Sequence, residues 1–283
     1  MTLPQRVGVL GGGRMGAGIA HAFLLAGCEV TVVERDAQAE ASARSRVLES
    51  VDRSLARGAD GTRERFEAML HTAVDVAAFA GCGLVVEAVP EDRALKVEAL
   101  RRAESSLSSG AVLASNTSSI SIDDLSSTLQ RPRRFLGLHF FNPVPASALV
   151  EVVMGAATDP ALETAACEWV AAIGKTPVVV RDAPGFASSR LGVALALEAI
   201  RMVEEGVAAP ADIDTAMELG YRHPIGPLRT TDIVGLDVRL GIAEELRDKL
   251  GDRFEPPALL RRMVAEGRLG RKSGRGFYEW SEQ

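Results

Sequence analysis

The sequence predicts an α/β protein in two parts: a doubly wound parallel sheet over residues 1–183, followed by an all-α domain over 184–283. Three observations predict it. The first half alternates short apolar runs with segments of helical periodicity, the pattern of a parallel sheet covered on both faces. A glycine-rich turn directly follows the first apolar run. Beyond Ala183-Pro184-Gly185 strand patterning stops, and helices punctuated by Gly206, Pro210, Gly220, Gly251, Pro256, Pro257 and Gly267 take over.

The elements follow in order. Val7-Gly8-Val9-Leu10 reads as a buried strand, Met15 to Ala26 as an apolar helix of small residues, and Val30-Thr31-Val32-Val33 as a second strand. Gln38 to Leu70 is charged and helical, interrupted near Gly58 and Gly61. Leu84-Val85-Val86, a helix from Glu91 to Ser106, and Val112-Leu113-Ala114 continue the alternation. Three closer strands follow at Phe135–Leu138, Leu149–Val153 and Val178–Val180. The helix between the last two has its cap at Asp159, Pro160 in its first turn and a stop at Gly174. Past the boundary, Leu191, Val193, Leu195, Leu197, Ile200 and Val203 spread around most of one helix, which predicts burial on nearly all sides. A domain of about 100 residues has little core for such a helix, so a subunit interface, and hence a homodimer, is expected there.

The chain has 283 residues, a net charge of −6 and 47% hydrophobic content. No basic stripe points to nucleic acid. No run of about 18 apolar residues points to a membrane span. The N-terminus runs straight into a strand, and no signal peptide is expected. Cys28, Cys82 and Cys167 are widely separated and read as free thiols, with neither disulfide nor metal spacing, which suits a cytoplasmic protein.

Gly11-Gly12-Gly13-Arg14-Met15-Gly16 has the context that a dinucleotide fingerprint requires. It ends a strand and opens a helix, and an acidic residue, Glu34, closes the second strand 18 positions after Gly16. Gly11 permits the tight turn, Gly13 lets the backbone approach a pyrophosphate, and Gly16 lets helix and strand pack. The free N–H groups of the helix N-terminus favour the phosphates. A carboxylate at position 34 accepts hydrogen bonds from the adenine ribose and repels a 2′-phosphate, which favours NAD over NADP. Arg35, able to pair with such a phosphate, makes the preference less than absolute. These features make the first domain Rossmann-type.

An alcohol-oxidising site needs a base. His21, His71 and His223 sit inside a helix, in a charged connector and beside Pro224, and read as structural or solvated. His139 ends an apolar strand and precedes Phe140-Phe141-Asn142-Pro143, a stiff turn aimed at a cleft. Glu151, a carboxylate inside an apolar run, needs a partner. A hairpin-like return brings it to His139; periodicity alone leaves that pairing open. Ser115-Asn116-Thr117-Ser118-Ser119 lies at the carboxyl edge of the sheet, where its polar groups either meet substrate or nicotinamide, or merely cap a loop. Arg53 and Arg57, a helical turn apart, are candidate cations for substrate phosphates; the blander reading is a solvated charged face.

Together these segments resemble the 3-hydroxyacyl-CoA dehydrogenase family, in its short stand-alone form. The resemblance rests on the glycine turn through Ala20, Val86-Glu87-Ala88-Val89-Pro90-Glu91, Ala114 to Ile120, Gly137 to Pro145, Asp182-Ala183-Pro184-Gly185-Phe186, and Gly270 to Tyr278. It implies that His139 is the base and Glu151 its partner. Ser118 would contact the substrate oxygen, and Asn142 would set the nicotinamide and substrate side of the cleft. Glu91 and Lys96 match cofactor-contacting positions, with Asn116 beside them. The C-terminal domain would dimerise and cover an acyl-CoA. At one position the chain departs: Ser189 stands where the family usually carries asparagine close to the substrate, which bears on substrate identity more than on reaction class. Rival readings are a related dehydrogenase on a free hydroxy acid, of gulonate or carnitine type, and a non-catalytic NAD-binding protein.

Overall fold

The computed structural model describes residues 2–280, and the chain forms two compact units, Met1–Ala183 and Pro184–Gln283. The first is built on strands β1 (Arg6–Leu10), β2 (Glu29–Val33), β3 (Leu70–Ala73), β4 (Leu84–Glu87), β5 (Val112–Ser115), β6 (Phe135–Phe140), β7 (Leu149–Met154) and β8 (Thr176–Arg181). They form one sheet in the order β3-β2-β1-β4-β5-β6-β7-β8. Every neighbouring pair is parallel except β6 and β7. The chain therefore winds outward from β1 in both directions, and the carboxyl ends of β1, β4, β5 and β6 share one edge. Helices α1 (Arg14–Leu25), α2 (Ala37–Leu55), α3 (Arg63–Met69), α4 (Arg93–Ser106), α5 (Ile122–Ser126) and α6 (Ala161–Ala172) cover the sheet.

The apolar runs become strands because both of their faces are buried: Val7, Val9, Val30, Leu84, Val86 and Ala114 are all sealed. Two short elements lie outside what periodicity predicts. Leu70-His71-Thr72-Ala73 pairs with β2 as an edge strand, so His71 sits in a strand and not in a connector. The five-residue α5 is held by Ser121, whose hydroxyl accepts from the Asp124 amide at 3.1 Å. Helix α4 starts at Arg93, two residues later than expected, because Asp92 caps it through the Leu95 amide at 2.8 Å.

His21, inside α1, is buried, with its Nε2 2.9 Å from Ser54 Oγ on α2. Burial, then the fields of Arg57 and Arg53, push the ring down from its usual 6.5 to about 4. The unfolded chain thus binds a proton that the folded chain refuses between those values, and stability falls as pH drops from about 6.5 to about 4. His21→Gln is expected to flatten the thermal-midpoint-versus-pH curve across that window. Equal slopes in the two proteins would assign the acid sensitivity to other groups.

The second unit is helical: α7 (Ser188–Glu204), α8 (Pro210–Tyr221), α9 (Pro227–Val234), α10 (Leu236–Leu250) and α11 (Ala258–Ala265) enclose a core around Val193, Leu197, Ile200, Leu228, Leu236 and Leu260. The expectation that α7 is buried on nearly all sides is corrected. Leu191 is 71% exposed, because the core fills one face only. Leu219 and Tyr221 of α8 are exposed as well. The Gly270–Tyr278 stretch closes this unit. The buried Asp232 carboxylate accepts from the Phe277 and Tyr278 amides and from Trp280 Nε1, at 2.8–3.0 Å. A Cβ on Gly276 would lie 2.1 Å from that carboxylate, so glycine is required there.

Candidate active site

The site is built on the carboxyl edge of the sheet. As β1 ends, Gly11 takes φ +92°, and a Cβ there would crowd the Ala88 carbonyl at 3.0 Å. A Cβ on Gly16 would lie 1.8 Å from the Gly11 carbonyl oxygen, and one on Gly12 2.3 Å from Ala43 Cβ. Gly13 differs: its Cβ would meet nothing within 4 Å. It opens onto a cavity of about 830 Å³ that Arg14, Met15, Glu34, Glu91, Asn116 and Ser118 also line. The α1 N-terminus faces the same space, where Gly13 as N-cap contributes no side-chain bond. Bare backbone, free N–H groups and an open volume suit a pyrophosphate. Glu34, just past β2, accepts from the Gly12 amide at 2.7 Å and the Arg35 amide at 3.1 Å, so the carboxylate expected to meet the ribose is tied to the glycine turn. Arg35 turns away to Asp36 at 3.1 Å.

At the far end of the cavity a buried ionic network supports the loops after β4 and β5. Glu87, the last residue of β4, accepts from Lys96 Nζ at 2.7 Å, Ser115 Oγ at 2.5 Å and the Val89 amide at 2.7 Å. Burial pushes its carboxyl above the usual range. Glu91 accepts from Thr117 Oγ1 at 2.6 Å and from the Ser118 and Ser119 amides at 2.8 and 3.0 Å. Burial works to raise the Glu91 carboxyl; Lys96 at 3.3 Å and these donors outweigh it and hold it below the usual range. Lys96 is thus largely engaged by Glu87 and is sealed from solvent, although it lies on the cavity wall. Glu87 was not singled out from the sequence. Its signal was available: a carboxylate in the apolar run Leu84-Val85-Val86-Glu87, the same feature that marks Glu151.

Asn116 joins this loop to β6, where its Oδ1 accepts from the Phe140 amide at 2.8 Å. His139 stands next to Phe140. Because β6 and β7 run antiparallel, His139 and Glu151 fall directly opposite each other. Side chains of directly opposed residues on one face meet. His139 Nδ1 lies 2.8 Å from Glu151 Oε2, both groups buried. The Phe141 ring packs on the imidazole with centroids 4.5 Å apart. The pair leaves Nε2 directed away from the carboxylate, as a base oriented through its other nitrogen would have it.

Asn142 begins the next loop, through a cis bond to Pro143, and lines a second cavity of about 600 Å³. Arg14, Arg46, Ser50, Arg53 and Arg57 line it too. Lys175 Nζ holds the loop by donating to the carbonyls of Val144 and Ser147 at 2.6 and 2.5 Å. Within the first unit, the expected residues therefore fall around two cavities and one histidine–carboxylate pair. Ser189 lies in α7 of the second unit.

Comparison with known proteins agrees over the whole length. Residues 6–183 match the family model described as "3-hydroxyacyl-CoA dehydrogenase, NAD binding domain", and residues 185–280 match "3-hydroxyacyl-CoA dehydrogenase, C-terminal domain". The chain is 43% identical to a 3-hydroxybutyryl-CoA dehydrogenase of Mycobacterium tuberculosis, over 98% of each. It is 40% identical to a probable 3-hydroxybutyryl-CoA dehydrogenase of Deinococcus radiodurans, over 98% of this chain and all of the relative. The crystal structure of (S)-3-hydroxybutyryl-CoA dehydrogenase from Ralstonia eutropha superposes with a TM-score of 0.94 at 37% identity, covering 99% of this chain and 100% of that one.

Proposed function

The chain belongs to the 3-hydroxyacyl-CoA dehydrogenase family, and from that premise we propose that it reversibly oxidises a short-chain (S)-3-hydroxyacyl-CoA, such as 3-hydroxybutyryl-CoA, to the 3-ketoacyl-CoA, using NAD. The observation that carries the reading is the buried His139–Glu151 pair at the edge of the sheet that holds the glycine turn. Gly11–Gly16 would hold the pyrophosphate of NAD and Glu34 its ribose, and the bound cofactor would supply the hydride acceptor. His139 Nε2 takes the substrate hydroxyl proton, while Glu151 fixes the tautomer and stabilises the imidazolium. Ser118 donates to the oxygen as it becomes a carbonyl, its own position set by the bond from its amide to Glu91. Asn142 shapes the substrate side, and Arg53 and Arg57 on the second cavity receive phosphates of CoA.

The second unit dimerises through the exposed apolar residues of α7 and α8, Leu191, Leu219 and Tyr221. Among the described residues no helix is long and apolar enough to cross a membrane. The unpaired thiols of Cys28, Cys82 and Cys167 support a cytoplasmic setting. Following NADH absorbance with acetoacetyl-CoA, against the oxidised forms of gulonate and carnitine, tests the reading. Activity restricted to a free keto acid would replace it. Ser189→Asn is expected to change kcat and KM by a few-fold without abolishing turnover, because the residue bears on substrate fit and not on the proton transfer; complete loss of turnover would refute that separation.

A further inference from the structure

Four arginines surround the second cavity: Arg14 in the first turn of α1, Arg46 and Arg53 on α2, and Arg57 just past its end. Arg46 and Arg53 are two helical turns apart and Arg57 lies one turn on, so α2 presents them along one face. Several other arginines of this unit are answered by carboxylates, Arg44 by Glu67, Arg63 by Asp52, Arg93 by Asp124 and Arg133 by Asp159. The four around the cavity have no ion pair to a carboxylate among the described residues; Glu49, the one acidic residue of its lining, accepts from Ser45 Oγ at 2.9 Å. Arg46 donates to the Gly12 carbonyl at 3.2 Å and Arg53 to Ser50 Oγ at 3.0 Å. In a chain of net charge −6, a cluster of unanswered cations is a local field set for anions.

The four are not equivalent. Arg14 and Arg46 also line the first cavity, whereas Arg53 and Arg57 do not. The two cavities therefore share two arginines in their linings, and the Arg46 guanidinium sits at the glycine turn itself. We propose that Arg14 and Arg46 are shared cations, serving the pyrophosphate of the dinucleotide on one side and a phosphate of the CoA ester on the other, and that they couple the binding of the two ligands. This rests on the function proposed above, in which both ligands bind. Two polyanions on either side of these arginines repel each other, and screening in salt extends over only about 8–10 Å. A positive charge between them offsets that repulsion as well as attracting each one. Removing it weakens both ligands and makes each a stronger antagonist of the other.

The test is a ligand cycle with butyryl-CoA, which has no 3-oxygen and cannot turn over. NADH and butyryl-CoA are titrated singly, and NADH again at saturating butyryl-CoA, into wild type, Arg14→Ala, Arg14→Lys, Arg46→Ala and Arg53→Ala, each checked by its thermal midpoint. Arg14→Ala and Arg46→Ala are expected to raise both single-ligand Kd values about three- to tenfold. They should also raise the ratio of NADH Kd with and without butyryl-CoA about threefold over wild type. Arg14→Lys keeps most of the wild-type behaviour, and Arg53→Ala affects butyryl-CoA alone. Should both alanine variants at the shared positions impair only one ligand, or leave the ratio at its wild-type value, the sharing is overturned. Wild-type protein that binds NADH but not butyryl-CoA overturns the acyl-CoA reading and the sharing together.

Discussion

Replacing His139 by alanine is expected to lower kcat with acetoacetyl-CoA by about 10²–10⁴-fold, the usual cost of a lost general base, while NADH still binds. The separation follows from placement. Gly13, Glu34 and Asn116 line the first cavity, where the dinucleotide is proposed to sit, and His139 is not on its wall. The alanine variant also strips a partner from Glu151, a sealed carboxylate on β7. Breaking a buried pair by removing one partner destabilises by roughly 3–5 kcal/mol, so loss of activity alone is ambiguous. His139→Gln resolves this. Its amide can still donate toward Glu151 Oε2 but cannot take up a proton, and it should fold with a thermal midpoint near wild type and be as inactive as alanine. Near-normal turnover in the glutamine variant would remove His139 from the role of base. Loss of NADH binding would show that the imidazole shapes the cofactor site instead.

How far this site was legible in the sequence depends on the kind of signal each residue leaves. His139 and Glu151 stood out because a polar group inside an apolar strand has to be satisfied, and their spacing was short enough for a hairpin return. The connection between β6 and β7 is too short for a parallel crossover, which leaves the antiparallel sense, but the register that sets the two residues directly opposite each other is a tertiary fact. Strands β1, β2, β4 and β5 were visible as apolar runs. Strand β3 was not, because Leu70-His71-Thr72-Ala73 lies at the sheet edge and carries two polar residues. Helix α7 is less buried than its apolar content predicts, since that content does not tell a core-facing residue from the exposed Leu191. The family resemblance implies a cofactor contact at Lys96, yet its bond to Glu87 gives it a supporting role that no local pattern reveals. The arginines show the same limit. Arg53 and Arg57 were visible as a helical pair, but that Arg14 joins them in the lining of one cavity required the packing of α1 against α2.

Gly13→Ala is expected to raise the Kd for NADH about 10- to 100-fold while leaving the fold intact. Three of the turn glycines cannot take a side chain for internal reasons: φ at Gly11, the Ala43 methyl at Gly12, and the Gly11 carbonyl at Gly16, where a Cβ would sit 1.8 Å away. Substitution there tests packing and ligand together. Gly13 has φ −61°, which any residue adopts, and open space where its Cβ would be. As N-cap of α1 it loses at most about 1 kcal/mol on going to alanine, partly offset by the lower entropy of the unfolded chain. The methyl points into space that the proposed pyrophosphate occupies, so it displaces one or two charge-assisted bonds to the helix N-terminus, each about 1.5–3 kcal/mol, with some relief by tilting of the ligand. Every 1.4 kcal/mol is a factor of about ten in Kd, which sets the expected range. Calorimetric titration with NADH and a thermal melt of the same sample make the comparison, with Gly16→Ala expected to lose both binding and stability. An unaltered NADH affinity in Gly13→Ala would mean that the phosphates do not lie on this turn, and the reading of the 830 Å³ cavity would have to be redrawn.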